Sequence, residues 1–218
     1  MKTQDSKYVP ALSYDWLTFI YDPVARLTTR EIEFKSALVR QAQISDGQRV
    51  LDLGCGTGTL TVAAKLSTAN CEVTGLDGDP AILKQATTKA QRAGVSIKFD
   101  EGMSFALPYA EASFDRVLSS LFFHHLTREN KLKTLAEALR VLKPGGELHI
   151  ADWGKPDNWL MQIGSFLVQK FDGVETTADS FNGLLPQFIA QTGFVFVEET
   201  LHFNSLFGTI RLLRARKP

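Results

Sequence analysis

The chain has two cysteines among its 218 residues, Cys55 and Cys71, and neither belongs to a CxxC pair or a His/Cys cluster. That argues against a disulfide framework and against a structural zinc site, so no metal is expected and a reducing cytoplasm is the simplest compartment. No apolar run approaches the roughly 18 to 20 residues of a membrane-spanning helix. The N-terminal MKTQDSKYVP lacks the apolar core of a signal peptide. Neither sign of charge prevails, with 24 Lys and Arg against 24 Asp and Glu. Without a net field no nucleic-acid partner is expected, although a local patch stays open. Peripheral contact with lipid also stays open, and oligomeric state is not legible. Repeats, low-complexity segments and interdomain linkers are absent. What remains is an ordinary globular composition, 44% hydrophobic and 22% charged, long enough for one substantial core.

What is present is punctuation. Residues 8–29, rich in aromatics and interrupted by Pro10 and Pro23, read as short helices with a turn at Asp22-Pro23. Ile32, Phe34, Leu38, Val39 and Ala42 then recur at helical spacing up to a stop near Ser45-Asp46-Gly47. Strands are expected at Val50–Leu53, Glu72–Leu76, Val95–Phe99, Phe114–Ser119 and Glu147–Ala151. They alternate with helices at Leu60–Leu66, Pro80–Arg92 and Arg128–Leu142, the last ending at Lys143-Pro144-Gly145-Gly146. Asp79 is placed to cap the second of these, with Pro80 in its first turn. Alternation of this kind predicts an α/β fold, a doubly wound, mostly parallel sheet with helices on both faces. Further on, helices are expected at Asn158–Phe171 and Ser180–Thr192, separated by a break at Val174–Thr177. Phe194–Phe203 and Leu206–Ala215, joined at Asn204-Ser205, read as a terminal antiparallel hairpin completing seven strands.

The stretch RVLDLGCGTG, residues 49–58, organises this pattern. A buried strand runs into Gly54, Gly56 and Gly58 and then into a helix, which brings bare backbone close to a ligand. The dinucleotide fingerprint wants a glycine at the sixth place counted from Gly54, but Thr59 stands there, and no Walker Gly-Lys-Ser/Thr follows. Asp52, just ahead of the loop, would repel a pyrophosphate and favour a cation. Asp77 ends the second strand roughly 20 residues on, where a carboxylate can accept hydrogen bonds from a ribose diol. The ligand expected is a ribonucleoside with positive charge and no pyrophosphate.

VLDLGCGTG (50–58), GLDGDP (75–80), ALPYAEASFDRVLSSLFFHHL (106–126) and LRVLKPGGELHIAD (139–152) together resemble the class I S-adenosylmethionine-dependent methyltransferases. Within them the chain is similar to the ubiquinone/menaquinone-biosynthesis type. YDPVARLTTRE and GTIRLLRARKP resemble, more loosely, phospholipid N-methyltransferases. The resemblance implies a Rossmann-like fold divided into a helical cap segment (1–45), a cofactor core (46–152), a helical substrate region (153–192) and the hairpin (193–218). It implies S-adenosylmethionine as cofactor, leaving as S-adenosylhomocysteine. Gly54, Cys55, Gly56 and Gly58 would pass its methionine and ribose, Asp52 would hold the amino group, and Asp77, followed by Gly78, would hold the ribose. Gly102, Met103 and Ser104 match the adenine-binding position. Relatives usually read Gly-Asp-Ala there; Met103 cannot replace that acceptor but its thioether can pack on the purine, and the Ser104 N–H can serve a ring nitrogen. Leu121 would line the transferred methyl, Tyr21 and Tyr14 would fold over the cofactor, and Arg30 would meet the methionine carboxylate.

The sulfonium carries the hard chemistry, so the protein has chiefly to position a nucleophile. Where that nucleophile must lose a proton, His124 and His125 are the candidates, set against a packed helix entry; His149 and His202, inside strands, read as structural. Asp152 and Trp153 face the same edge. Trp153, Trp159, Met161, Phe166, Phe171, Phe181 and Phe188 fall in the cap region, mostly as core, and suit a small apolar, aromatic or lipid-like acceptor. Alternatives are a protein or RNA methyltransferase, a methyltransferase-like module without turnover, and, more distantly, a dehydrogenase. An Asn/Asp-Pro-Pro-Tyr/Phe motif after the fourth strand, expected of nucleic-acid amino methylation, is missing.

Overall fold

The computed structural model describes residues 30–159, 161–162, 174–205 and 208–218. The elements expected over 8–29 and most of the helix expected at Asn158–Phe171 lie outside them. The described chain runs α1 (Glu31–Ala42), β1 (Arg49–Leu53), α2 (Thr59–Ser67), β2 (Glu72–Asp77), α3 (Pro80–Arg92), β3 (Lys98–Glu101) and β4 (Phe114–Ser120). A 3-10 turn (Phe123–His125), α4 (Arg128–Val141), β5 (Leu142–Gly154), α5 (Val174–Phe181), α6 (Leu185–Gln191), β6 (Val195–Ser205) and β7 (Gly208–Arg216) follow.

The strands form one seven-stranded sheet in the order β3-β2-β1-β4-β5-β7-β6. Pairs from β3 to β5 are parallel, whereas β5–β7 and β6–β7 are antiparallel. Side chains alternate between faces with period two. Leu51, Leu53, Val117, Leu148, Ile150 and Leu213 therefore pack against α4 and α6. Val50, Val73, Leu118, Ala151 and Leu212 pack against Phe34 and Leu38 of α1 and Leu60 of α2. Both faces are covered, which is why the central strands read as nearly continuous apolar runs.

Strand order reverses between β1 and β4, since β2 and β3 lie on one side of β1 and β4 and β5 on the other. The crevice at the carboxyl ends of those strands is where open α/β sheets take ligands. Leu53, Leu76 and Ser119 meet there in register, with the glycine loop directly beyond Leu53.

Five local expectations need correction. The third strand covers Lys98–Glu101 rather than Val95–Phe99, because pairing with β2 begins at Thr74 opposite Lys98. Lys143–Gly146 is not a turn outside the sheet: β5 starts at Leu142, opposite Phe114, and a bulge absorbs the prolyl-glycyl stretch before Glu147 resumes opposite Arg116. The segment Val174–Thr177 is helical, and Ser180–Thr192 is divided between α5 and α6. Gly183, at φ 71°, stops the first of these helices, and Pro186 sits in the first turn of the second. The hairpin junction lies beyond Asn204-Ser205, for Ser205 still pairs with Gly208.

Candidate active site

The glycines after β1 are all left-handed, with φ 64° at Gly54, 52° at Gly56 and 75° at Gly58. Residues bearing a Cβ are strained in that region. Gly54 has a second constraint, since a Cβ there would lie 2.2 Å from the Phe122 ring. The loop is fixed by Cys55 N–H donating to the Leu76 carbonyl at 3.0 Å and Gly58 N–H donating to the Cys55 carbonyl at 2.9 Å. The Cys55 thiol is buried, and burial holds it far above the usual thiol range, so it stays protonated.

Asp77 brackets this loop from the end of β2. Its Oδ2 accepts the Gly56 N–H at 2.9 Å and its Oδ1 the Asp79 N–H at 3.1 Å, with Gly78 a further backbone donor. Burial pushes its pKa up, and those donors pull against the rise. A carboxylate offers about four lone-pair directions, so capacity for a ligand hydroxyl remains. The helix cap is Asp79, whose Oδ1 accepts the Ala81 N–H at 2.8 Å.

Asp52 is 1% exposed. Its Oδ2 accepts the Thr61 hydroxyl at 2.6 Å, whereas Oδ1 is buried with no hydrogen-bond partner among the described residues. Burial pushes its pKa up to about 7, against Thr61 and Lys35, while the Asp77 charge adds to the rise. An orphaned carboxylate oxygen is a liability in the free protein and a ready acceptor for a cationic donor. Lys35 is largely buried, with Nζ donating to Glu31 at 2.6 Å.

The segment after β3 returns to Asp77 through Gly102, whose N–H donates to the Asp77 carbonyl at 3.0 Å. Met103 is half-exposed beside it. The Ser104 hydroxyl is turned into α4, 2.8 Å from the Thr134 hydroxyl. Lys89 of α3 reaches back across the loop, donating to the hydroxyls of Thr57 at 2.8 Å and Thr59 at 2.6 Å.

Beyond β4 a second cluster forms around Asp152, which is 2% exposed. Leu121 adopts φ 50° and donates its N–H to the Ala151 carbonyl at 2.8 Å. Phe122 and Phe123 then donate theirs to Asp152 Oδ2 at 3.1 and 2.7 Å, and Trp153 N–H reaches Oδ1 at 2.7 Å. His124 Nδ1 lies 2.6 Å from the same Oδ1. Burial alone would raise the Asp152 pKa, but His124 and these donors outweigh it and hold the carboxyl below its usual range. An ionised Asp152 only accepts, so the proton of this contact sits on His124 Nδ1. The His125 ring packs 3.9 Å from that of His124, and burial, then His124, push its pKa down to about 3. Beside the cluster opens a cavity of about 250 Å³, with Asp152 and Trp153 in its wall.

Other expected residues fall elsewhere. Arg30 pairs with Glu33 and lies over the Phe203 ring, toward the edge strand β6 rather than the glycine loop. Tyr14 and Tyr21 lie outside the described residues. His149 is buried between Gln41 and Glu147, and His202 lies 3.4 Å from Asp157. Among the described residues no cluster of metal-ligating side chains occurs, and no helix is long and apolar enough to cross a membrane. Thr61, Lys35, Lys89 and Phe122 escaped the sequence reading, because each reaches the site from a separate element with no motif of its own.

Residues 50–146 match the methyltransferase domain family. An uncharacterized methyltransferase of the cyanobacterium Synechocystis is 31% identical over 207 residues, 93% of this chain and 92% of that protein. The chain belongs to the class I S-adenosylmethionine-dependent methyltransferases. A ubiquinone/menaquinone biosynthesis C-methyltransferase of Shewanella pealeana is 27% identical, over 84% of this chain and 80% of its own. The YcgJ protein of Bacillus subtilis shares the fold at TM-score 0.72 and 18% identity, covering 85% of this chain and 98% of that one. As in the rest of the class, the cofactor of this methyltransferase is S-adenosylmethionine. The residues present fit it on the structure's own terms: Asp52 Oδ1 is an unpaired acceptor suited to an ammonium, the glycine loop is bare, and Asp77 retains acceptor capacity.

Proposed function

We propose that this methyltransferase acts on a small, largely apolar acceptor, with an aromatic or lipid-like body, bound in the cavity beside Asp152. The observation that carries this reading is the cavity itself: about 250 Å³, at the carboxyl edge of β5, with Trp153, Leu185 and Leu213 as apolar walls. A volume of that order suits a single ring or short chain segment, below the usual range of drug-sized sites. The C-methyltransferase from Shewanella pealeana, named for quinone biosynthesis, supports the same class of acceptor.

In this reading Asp52 takes the ammonium of the cofactor's methionine, Gly54 to Gly58 follow its length, Asp77 takes the ribose diol, and Gly102 to Ser104 meet the adenine. Bound there, the sulfonium supplies an electrophilic methyl group. The chain's own task is to hold an acceptor atom in line with it and to keep water out. Where the acceptor must lose a proton, His124 is the group to receive it. Asp152 accepts from Nδ1 and so fixes the orientation of the ring. His125, with its pKa near 3, is too weak a base at neutral pH.

The test supplies S-adenosylmethionine labelled in its methyl group together with cell extract fractions. Label entering organic-extractable small molecules is the expected result. Label retained on protein or RNA would replace the acceptor assignment with a macromolecular one.

A further inference from the structure

Four charged side chains line the cavity beside Asp152: Asp152 itself, Lys155, Glu199 and Arg211. Three of them are compensated. Asp152 is held by His124 and by backbone N–H groups. Arg211 donates to Asp157 and to Glu199, which partners both that guanidinium and the Glu199 carboxylate. Lys155 differs: it is exposed, and its ammonium has no ion pair or hydrogen bond among the described residues. It is the one unmatched charge of the wall.

A hydrated surface lysine is ordinary by itself, but the backbone under this one is fixed. Its carbonyl accepts twice from Arg211, from Nε at 3.1 Å and from Nη2 at 2.7 Å. The Arg211 stem fills the space that a Cβ on Gly154 would occupy, 2.4 Å from Arg211 Cδ. Lys155 Cβ in turn lies 3.5 Å from where a Gly183 Cβ would stand, so the base of the side chain faces the α5–α6 turn. Asn182, beside that turn, is also an exposed residue of the wall, and its side-chain amide has no hydrogen bond among the described residues. Behind this rim Trp153, Leu185 and Leu213 present apolar surface, and Trp153 stacks on Phe181 at 6.1 Å between ring centroids. A ligand with an apolar body and one negative charge would match the remaining ammonium. A cation would be repelled by it, and a neutral ligand would gain nothing from it. A dianion would bring a second charge near Glu199 and Asp152 with no further free cation in the wall to meet it.

We propose that Lys155 and Asn182 form an anion subsite at the rim of the acceptor cavity, and that the acceptor carries a carboxylate on its apolar body. This rests on the assignment of the cavity to the acceptor and adds the charge that would orient it. The four-carbon stem of Lys155 lets its ammonium swing to the ligand, and water solvates it until then. Its removal therefore acts on binding and leaves the stability of the free protein unchanged.

The experiment titrates the full chain with benzoate, benzamide, benzylamine and phenyl phosphate at low salt, following backbone amides by NMR. It repeats the series with Lys155→Met, Lys155→Arg and Asn182→Ala. Benzoate is expected to shift Gly154, Lys155, Asn182 and Gly183 saturably and to bind about five- to tenfold tighter than its neutral isostere benzamide, as a charge-assisted contact at an exposed rim provides. That preference should shrink in about 0.5 M salt. Benzylammonium should bind most weakly, and phenyl phosphate no tighter than benzoate. Lys155→Met should abolish the preference while benzamide binding and the melting temperature stay level, Lys155→Arg should keep it, and Asn182→Ala should weaken benzoate alone. Equal binding of benzoate and benzamide by the unaltered protein would overturn the proposal. So would a preference that survives in Lys155→Met, or an equal loss of benzamide binding in that variant, which would make the side chain structural. Tighter binding of phenyl phosphate than of benzoate would overturn the carboxylate assignment. Calorimetry with S-adenosylhomocysteine on the same samples, together with the labelled-methyl assay, separates these outcomes from failure of the broader reading. Intact cofactor binding and small-molecule labelling without a benzoate preference would remove the anion subsite alone.

Discussion

Asp77 Oδ2 accepts the Gly56 N–H at 2.9 Å, so the acid that ends β2 and the loop that ends β1 are one hydrogen-bonded unit. Asp77→Ala removes the loop's anchor and, in the proposed reading, the acceptor for the ribose. Calorimetric titration with S-adenosylhomocysteine should show affinity falling about 10- to 100-fold, the range for losing charge-assisted hydrogen bonds. Asp77→Asn keeps an oxygen for Gly56 and should fall between the two. An Ala variant that binds as well as the parent would remove Asp77 from the ribose site.

Asp52 predicts a pH dependence of opposite sign for binding and for stability. Its carboxyl titrates near 7 in the native protein but near 4 when unfolded. The free protein should therefore lose stability as pH rises from about 4 to 7 and level off above. With Asp52 holding the cofactor's ammonium as proposed, binding needs the ionised form, so affinity for S-adenosylhomocysteine should weaken roughly tenfold for each pH unit below 7, with proton release on binding near neutrality. Asp52→Asn should flatten both curves, with weak binding throughout and higher stability than the parent at pH 8. Denaturant melts and calorimetry in buffers of different ionisation enthalpy read these effects.

Lys89 joins α3 to Thr57 and Thr59, on either side of Gly58. Lys89→Met should keep the aliphatic packing and release the loop. The expected loss is about 1 kcal/mol, seen as a melting temperature lower by about 2–4 °C. Affinity for S-adenosylhomocysteine should fall several-fold, although Lys89 is not assigned a contact with the ligand.

Asp152 carries the turn after β4 on its two oxygens. Asp152→Asn turns an acceptor-only group into a partial donor and should lower stability by about 2 kcal/mol at neutral pH. Because its pKa is held low, that contribution is present at pH 7 and disappears only as pH falls below about 4. With His124 receiving the acceptor's proton as proposed, kcat should fall while the KM for S-adenosylmethionine changes little, since His124 loses its fixed tautomer.

What the sequence disclosed was mostly local. The order of strands and helices, the glycine loop and the Asp79-Pro80 helix start could be read because each depends on neighbouring residues. The third strand was misplaced because Val95 to Ile97 have strand-like composition but no partner; β2, not the local pattern, sets where pairing begins. The α5–α6 break was hidden by Phe181, Leu185, Phe188 and Ile189, whose apolar spacing runs through it although Gly183 and Pro186 mark it. Asp52 could be named from its place ahead of the loop, but its unpaired oxygen could not, since that depends on what every surrounding element fails to offer.

The Phe122 ring resting on Gly54 joins the turn that leads to Asp152 with the loop that follows β1. With the acceptor bound as proposed, this contact would couple the two ligands of the enzyme. Coupling of this kind is reciprocal: if bound cofactor improves acceptor affinity by some factor, bound acceptor must improve cofactor affinity by the same factor. Such coupling would pass through one aromatic side chain lying against one bare backbone.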